Sequence, residues 1–147
     1  MRCARALLVL LLVCHAQWAA ALDFRSVKET GVALYEEPSL SARKLFVVSR
    51  YYPVEVMTVQ GDWSRVRDAT GGIAWIPSAG LSRRHMLLVT AERSEAHAAA
   101  DAKSARLYTL LRDGVVEMTA PPQAGWVKVH HRDGGDGFVR IDDFWGL

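Results

Sequence analysis

The sequence has only two cysteines, Cys3 and Cys14, and both lie near its start. A chain with no later cysteine can form no disulfide in its main part and offers no thiol nucleophile there. Gly-x-Ser-x-Gly is also missing, and the paired glycines lie between strand-like segments instead of opening a helix, so the serine-hydrolase and phosphate-loop signatures are absent. These absences argue against an enzyme, and no cofactor or metal is predicted.

Long hydrophobic runs are also lacking. The apolar run 6–13 follows two arginines and precedes small residues, which is the pattern of a signal peptide and is shorter than the roughly 20 residues of a membrane-spanning helix. We predict a signal peptide over residues 1–21, cleavage after Ala21, and an exported, periplasmic mature protein without an integral membrane segment. A lipid anchor on Cys14 is the alternative, disfavoured because Val13 stands where that signal requires a small residue.

Net charge is low once this segment is set aside. The 18 Lys and Arg include Arg2 and Arg5, and the remaining 16 balance 16 Asp and Glu. A neutral chain lacks the basic surface by which proteins bind nucleic acid or anionic membranes. Nucleic acid is therefore not an expected partner.

The rest of the sequence consists of two copies of one pattern. Leu45 matches Leu107 at an offset of 62 residues, Trp63 matches Trp126 at 63, and Ile76 matches Ile141 at 65. The matching segments are PVEVM (53–57), GDWSRVR (61–67) and GGIAWI (71–76) in the first copy, and VVEM (115–118), GWVKVH (125–130) and GDGFVRI (135–141) in the second. Because the offset grows only in turn-like stretches, two copies of a small β unit are predicted.

The two units are predicted at residues 24–81 and 86–147, with 78–85 as the linker. Each is small enough to have a marginal core alone, so we expect the units to pack on each other. The apolar end of the chain, FWGL (144–147), is expected to be buried between the units, with dimerisation through it as the alternative.

Short β-branched segments predict the strands of an all-β fold. The predicted strands are 44–49, 54–59, 63–68 and 73–76, then 106–111, 115–119, 126–131 and 138–141, with hairpin turns at 68–72 and 133–137. Residues 91–105 have high helix propensity, but the repeat sets them against 32–43. We therefore predict a long irregular loop at both places, with a helix at 91–105 as the alternative.

Strand parity separates core from surface, since alternate residues point to opposite faces. Val66 and Val129 are expected in the cores, as are Ala74, Ile76, Val139 and Ile141. Trp63 and Arg65 share the outer face of one strand, and Trp126 and Lys128 share that of its repeat. Each outer face should thus present a tryptophan beside a cation.

The sequence resembles the bacterial SH3-like (SH3b) domain family, specifically exported proteobacterial proteins with two such domains in tandem. The residues that carry the resemblance are LYEEPS (34–39), PVEV (53–56), GDWSRV (61–66), GIAWI (72–76), GWVKV (125–129) and GFVR (137–140). It implies two small SH3-like β-barrels without catalytic activity that bind cell-wall or peptide ligands. The second copy departs from the pattern, with Ala100 in place of Pro38 and Arg140 in place of Trp75.

Six residues are candidates for ligand binding: Tyr35, Trp63, Arg65, Trp75, Trp126 and Lys128. An exposed aromatic beside a cation can stack on a sugar ring or hold a peptide. Alternatively, Trp63 and Trp126 close a barrel end or fill the contact between the units, and this alternative is favoured. Trp75, whose partner in the repeat is Arg140, is either an interface residue or part of a site peculiar to the first unit.

Two further features have a structural and a functional interpretation. Tyr51 and Tyr52 either line the same groove as Tyr35 or pack over a barrel end. The segment HHRD (130–133) with Asp136 contains metal-ligand residue types, but adjacent strand residues face opposite ways, so a polar hairpin is favoured over a metal or calcium site.

Together these observations predict an exported, non-catalytic protein that binds peptidoglycan, cell-wall peptide or an envelope protein. A scaffold that recruits another envelope protein and touches no glycan is the main alternative. A hydrolase with an unrecognised site is the third.

Overall fold

A computed structural model describes residues 21–147. The predicted signal peptide, residues 1–21, and the alternative lipid site at Cys14 lie outside the described residues, apart from Ala21. The described chain forms two seven-stranded antiparallel sheets, one after the other along the sequence. This confirms the prediction of an all-β chain made of two repeated units.

The first sheet contains seven strands in the spatial order β3-β2-β6-β5-β4-β1-β7. Its strands are β1 Asp23–Val27, β2 Val32–Tyr35, β3 Lys44–Val48, β4 Pro53–Gln60, β5 Trp63–Arg67, β6 Ile73–Pro77 and β7 Leu81–Ser82. A 3-10 turn, Ser78–Gly80, joins the last two strands. The short β7 returns to pair with β1, so the segment predicted as linker begins inside this sheet.

The second sheet repeats this order strand for strand, as β10-β9-β13-β12-β11-β8-β14. Its strands are β8 Met86–Val89, β9 Arg93–His97, β10 Arg106–Leu111, β11 Val115–Met118, β12 Trp126–His131, β13 Gly135–Arg140 and β14 Phe144–Trp145. A 3-10 turn, Ile141–Asp143, again precedes the last strand. The two units are therefore copies in topology as well as in sequence.

Strand parity explains each core. In β5, Ser64 and Val66 are buried, whereas Trp63, Arg65 and Arg67 alternate with them on the other face. The first core contains Val27, Leu34, Val54, Val66, Ala74 and Ile76, and the second contains Leu87, Val89, Ala96, Leu110, Val116, Val127, Val129, Val139 and Phe144. Burying one such valine stabilises a fold by about 1.5–3 kcal/mol relative to leaving it exposed.

The two predicted irregular loops are partly strands. β2 occupies residues 32–35 and β9 occupies residues 93–97, so the loop prediction is wrong there, whereas residues 36–43 and 98–105 are irregular as predicted. The helix alternative for 91–105 is wrong as well, because Ser94 and Ala96 alternate into the core and β9 pairs with β10. Position in the repeat therefore outweighs helix propensity here.

The C-terminal residues are divided between a core and the contact between units. Phe144 is buried in the second core, and β14 pairs with β8. The next residue, Trp145, meets Phe24 of the first unit edge to face at 5.2 Å between ring centroids. His85, in the connection, contacts Phe24 and hydrogen-bonds the carbonyl of Gly146. The prediction that this tail lies between the units is thus correct for Trp145 and wrong for Phe144.

Candidate ligand-binding faces

Four of the predicted site residues meet on the outer face of β2, β5 and β6. Arg65 is opposite Trp75 in the β5–β6 ladder, and Trp75 is opposite Tyr35 in the β2–β6 ladder. Trp63 lies two residues before Arg65 on the same face of β5. We define these four residues, Tyr35, Trp63, Arg65 and Trp75, as the first aromatic cluster.

In the first aromatic cluster, one residue is buried and the other three are partly or fully exposed. Tyr35 and Trp63 are perpendicular, with ring centroids 5.3 Å apart, a geometry that contributes about 0.5–1.5 kcal/mol beyond surface burial. Tyr35 is only 8% exposed, so its ring supports Trp63 more than it offers surface to a ligand. Trp63 and Trp75 are half-buried, and Arg65 is exposed.

The second unit contains an equivalent set of side chains. Lys128 is opposite Phe138 in the β12–β13 ladder, and Phe138 is opposite His97 in the β9–β13 ladder. His97 and Trp126 are perpendicular at 5.5 Å between centroids, as Tyr35 and Trp63 are. We define His97, Trp126, Lys128 and Phe138 as the second aromatic cluster.

Strand register corrects the predicted match between Trp75 and Arg140. Trp75 is opposite a cation, Arg65, and the residue opposite the equivalent Lys128 is Phe138. The offset is therefore 63 along both strands of the hairpin, and no insertion separates them. Matching the glycines and the final isoleucines, Ile76 and Ile141, instead gives an offset of 65 residues. Trp75 thus has an aromatic partner in the repeat, and the expectation that it has none is wrong.

The same register corrects the core assignment of Ile141. Ile76 and Val139 are both fully buried and occupy equivalent positions. Ile141 instead starts the 3-10 turn after β13 and is only half-buried against the core. The predicted turn 133–137 is also too long, because β13 begins at Gly135 and extends the hairpin.

Two members of the second aromatic cluster, His97 and Phe138, are not among the residues that the sequence predicts for the site. His97 lies in a segment predicted as loop, and the glycine motif places Phe138 opposite Ile73 in the repeat instead of Trp75. The tryptophans Trp63 and Trp126 are 63 residues apart. The same offset applied to Trp75 leads to Phe138.

Trp126 is more covered than predicted. It lies on the outer face, but only 7% of its surface is exposed. The guanidinium of Arg140 is placed over its ring at 5.3 Å, and Gln123 bridges to it by backbone hydrogen bonds of 2.8 and 3.0 Å. In the first unit the residue opposite Trp63 is Pro77, which brings no charge.

A longer connection in the second unit forms one wall of a cavity. β4 continues to Gln60 and turns directly into β5, whereas β11 ends at Met118 and residues 119–125 lead to β12. The cavity, of about 440 Å³, lies between this connection and the second aromatic cluster. Its lining includes Ala100, Pro121, Gln123, Trp126, Lys128 and Phe138. This is a volume within the range of about 300–1,000 Å³ typical of small-ligand sites.

A small charge network flanks this cavity. Asp136 is 2.7 Å from Nδ1 of His130 and 3.5 Å from Nζ of Lys128. The hydrogen bond from His130, and secondarily the charge of Lys128, hold the pKa of Asp136 below its usual range. Lys128 is 41% exposed, so its ammonium can still reach a ligand.

The histidines of this hairpin have separate partners. His130 bonds Asp136, whereas Nδ1 of His131 accepts the N–H of Gly134 at 3.1 Å. Among residues 21–147, no three His, Cys, Asp or Glu side chains are close enough to hold a metal ion. Both histidines therefore take part in hydrogen bonds within the hairpin.

The remaining tyrosine candidates do not join the first aromatic cluster. Tyr52 packs against the first core, and burial raises the pKa of its phenol. Tyr51 lies at a cleft between the two units. In the part of the chain that the structure describes, no helix has the length and apolar character needed to cross a membrane.

Comparison with known proteins identifies both units. Two family models, each described as a bacterial SH3 domain, match residues 30–82 and 91–146. No curated protein matches the chain.

Similar solved structures include NlpC2 and NlpC1 from Trichomonas vaginalis, each 14% identical with a TM-score of 0.39, and an NlpC/P60 family protein from Bacillus cereus, 13% identical with a TM-score of 0.37. The alignments cover 85%, 84% and 83% of this chain. They cover 48%, 45% and 55% of those structures, so the chain spans about half their length. The family matches, together with the repeated topology, show that the chain belongs to the bacterial SH3 domain family and carries two such domains in tandem.

Proposed function

We propose that this protein is an exported, non-catalytic binding protein of the cell envelope, and that its second SH3 domain holds peptidoglycan or a cell-wall peptide. Bacterial SH3 domains are typically non-catalytic binding modules of extracellular or envelope proteins. The observation that carries the proposal is the cavity of about 440 Å³ beside Trp126, Lys128 and Phe138. The signal peptide over residues 1–21, with cleavage after Ala21, and the periplasm as destination are part of the proposal.

The chemistry of the cavity suits a cell-wall peptide or an adjoining sugar. The half-buried ring of Phe138 offers an apolar face to a sugar or an aliphatic side chain. The ammonium of Lys128 can pair with a peptide carboxylate in a charge-assisted hydrogen bond. The amide of Gln123 supplies both a donor and an acceptor for polar groups of the ligand. Trp126 and His97 act beneath this surface as support, since both are buried.

The first aromatic cluster is proposed as a second, shallower contact. Trp63 and Trp75 flank an exposed Arg65, and Tyr35 holds Trp63 in place. An aromatic surface beside a cation can contact a sugar ring or a peptide without enclosing it. We expect this surface to contribute less than the second domain.

Co-sedimentation with purified peptidoglycan tests this function. The wild-type protein should pellet with peptidoglycan, Phe138→Ala and Lys128→Gln should pellet poorly, and Trp75→Ala should show a smaller loss. Leu111→Ala is the matched control, because Leu111 is 64% exposed and belongs to neither aromatic cluster. Circular dichroism and thermal melting must show each variant folded. Absence of the wild-type protein from the pellet would contradict wall binding.

A scaffold role is the second candidate, and one observation favours it. The edge strand β3 exposes Phe46 to 47% and Val47 to 62%. Apolar side chains on an unpaired strand edge are characteristic of surfaces that bind another protein. If this role holds, Val47→Lys should prevent recovery of one specific envelope protein and leave sedimentation with peptidoglycan unchanged. Loss of sedimentation in that variant would contradict the separation of the two roles.

A further inference from the structure

A second cavity, of about 350 Å³, lies between the two domains and is distinct from the aromatic clusters. The first domain and the connection contribute Arg50, Tyr51 and Arg84 to it. The second domain contributes Met86, Val115, Glu117 and the hairpin 130–133. Neither domain alone provides all of these groups.

Tyr51 occupies a backbone conformation that does not suit it. Its φ is 71°, in the left-handed region, where bulky residues are rare and asparagine, aspartate and glycine are favoured. The equivalent residue of the second domain is Asp113, with φ 68°. The N–H of Tyr51 donates to Val27 and that of Asp113 donates to Val89, so the two turns have the same backbone. The turn therefore requires a positive φ at this position but does not require a tyrosine. The presence of Tyr51 must be explained by the contacts of its side chain.

Two guanidinium groups lie over the ring of Tyr51. The guanidinium of Arg50 is 4.7 Å from its centroid and that of Arg84 is 5.5 Å away. Arg84 is also 3.7 Å from the carboxylate of Glu117. In residues 21–147, Arg50 has no carboxylate within ion-pair distance. An exposed guanidinium that has no counter-ion and is held on an aromatic ring can pair with a carboxylate.

On the opposite wall of the cavity, His131 offers a hydrogen-bond donor, and the carboxylates there already have partners. Nδ1 of His131 accepts a backbone N–H, so Nε2 is the protonated nitrogen of the neutral ring and can donate. The carboxylates of Glu117 and Asp133 both have arginine partners, Arg84 and Arg132. His130 is paired with Asp136. Within the described residues, Arg50 is therefore the arginine of the cavity that has no carboxylate partner.

From these contacts we infer that the cavity between the domains binds a short acidic peptide. A carboxylate of the peptide pairs with Arg50, its chain packs on the ring of Tyr51, and His131 donates to a second oxygen. The volume of the cavity falls within the range of about 300–1,000 Å³ that is typical of small-ligand sites. This site lies apart from the cavity of Phe138, so it does not depend on the function proposed above.

Calorimetric titration of the protein with triglutamate tests the inference, with triglutamine as the neutral comparison and both peptides N-acetylated and C-terminally amidated, so that only side chains can supply a carboxylate. Triglutamate should bind, and the isosteric triglutamine should bind about tenfold more weakly or not at all, because a charged hydrogen bond is lost. Arg50→Gln and Tyr51→Asn should each weaken binding about tenfold. Arg43→Gln is the matched control, since Arg43 pairs with Glu36 on a remote loop. Phe138→Ala should not change this binding.

Tyr51→Asn also separates a ligand site from a structural contact. Asparagine tolerates the left-handed conformation, so the variant should melt at the same temperature as the wild type or higher while binding more weakly. A lower melting temperature with unchanged binding would make Tyr51 a contact that holds the domains together, and would overturn the inference. Absence of wild-type binding, or equal binding of triglutamate and triglutamine, would also overturn it.

Discussion

Both domains contain an equivalent pair of perpendicular aromatic rings, but different residues surround the pair in each domain. In each domain a tryptophan at the start of a central strand meets a perpendicular ring, Tyr35 in the first and His97 in the second. Around that pair, the first domain has an uncharged Pro77 and a tight turn, whereas the second has Arg140 and the connection 119–125. The repeat therefore keeps the residues that shape the face and varies those that determine what can reach it.

The largest expected difference concerns the two tryptophans. Trp126→Ala should lower the free energy of unfolding by about 3–5 kcal/mol, as for a buried aromatic residue, because only 7% of Trp126 is exposed. Trp63→Ala should cost about half as much, since Trp63 is half-buried. Urea denaturation of both variants measures the two values. Equal losses would show that Arg140 and the connection 119–125 add no burial that matters to stability.

The second comparison concerns one methyl group. Ala74 of the first domain corresponds to Gly137 of the second, where an added Cβ would lie 3.1 Å from Cβ of Ala96 and 3.1 Å from the hydroxyl of Tyr108. Overpacking of this kind costs about 1–3 kcal/mol. Gly137→Ala should therefore destabilise the protein by that amount in thermal and urea unfolding.

The reverse change is the control for this comparison. Ala74→Gly removes a buried methyl group and adds backbone freedom to a strand, which should cost about 1 kcal/mol. If Gly137→Ala were instead stabilising, Tyr108 would have moved aside, and the close approach would not be the reason for glycine at this position.

Strand positions could be predicted from the sequence largely because the alternation is strong. The edges of β10 and β12 were predicted to the residue, and those of β4 and β5 within one residue; along β12, Val127 and Val129 alternate with Lys128 and His130. Six strands were missed: β1, β2, β7, β8, β9 and β14. β9 carries Ala96 and polar residues, which have low strand propensity, and pairing with neighbouring strands determines its conformation.

The candidate site could be predicted only in part. Parity placed Trp63 and Arg65 on one face, and Trp126 and Lys128 on its equivalent. Register, however, depends on which residues pair across the hairpin, and the glycine motif gave the wrong partner for Trp75. The cavity of Tyr51 was not predicted, because its walls come from segments as distant in the sequence as Arg50 and Arg132.

The third comparison tests the cation above Trp126. Arg140→Gln removes a cation–π contact that should contribute about 0.5–1 kcal/mol at this partly exposed site. The indole N–H resonance of Trp126 should shift and exchange faster with solvent, whereas that of Trp63 should not change. Heteronuclear NMR of the two indoles checks both expectations. An unchanged Trp126 signal would mean that the connection 119–125 alone covers the ring.

The smallest effect is expected from Asp136, where the first domain has the uncharged Ile73. Its pKa lies below the ordinary value of 3.8, chiefly because His130 donates a hydrogen bond to it and secondarily because Lys128 is near. The contacts therefore stabilise the folded state fully above that ordinary value, and this stabilisation is lost as the pH falls through the lowered pKa. Carbon-detected NMR titration should show the pKa rising towards 3.8 in His130→Gln, with a smaller rise in Lys128→Gln. A larger rise in Lys128→Gln would mean that the charge of Lys128, more than the hydrogen bond from His130, lowers the pKa of Asp136.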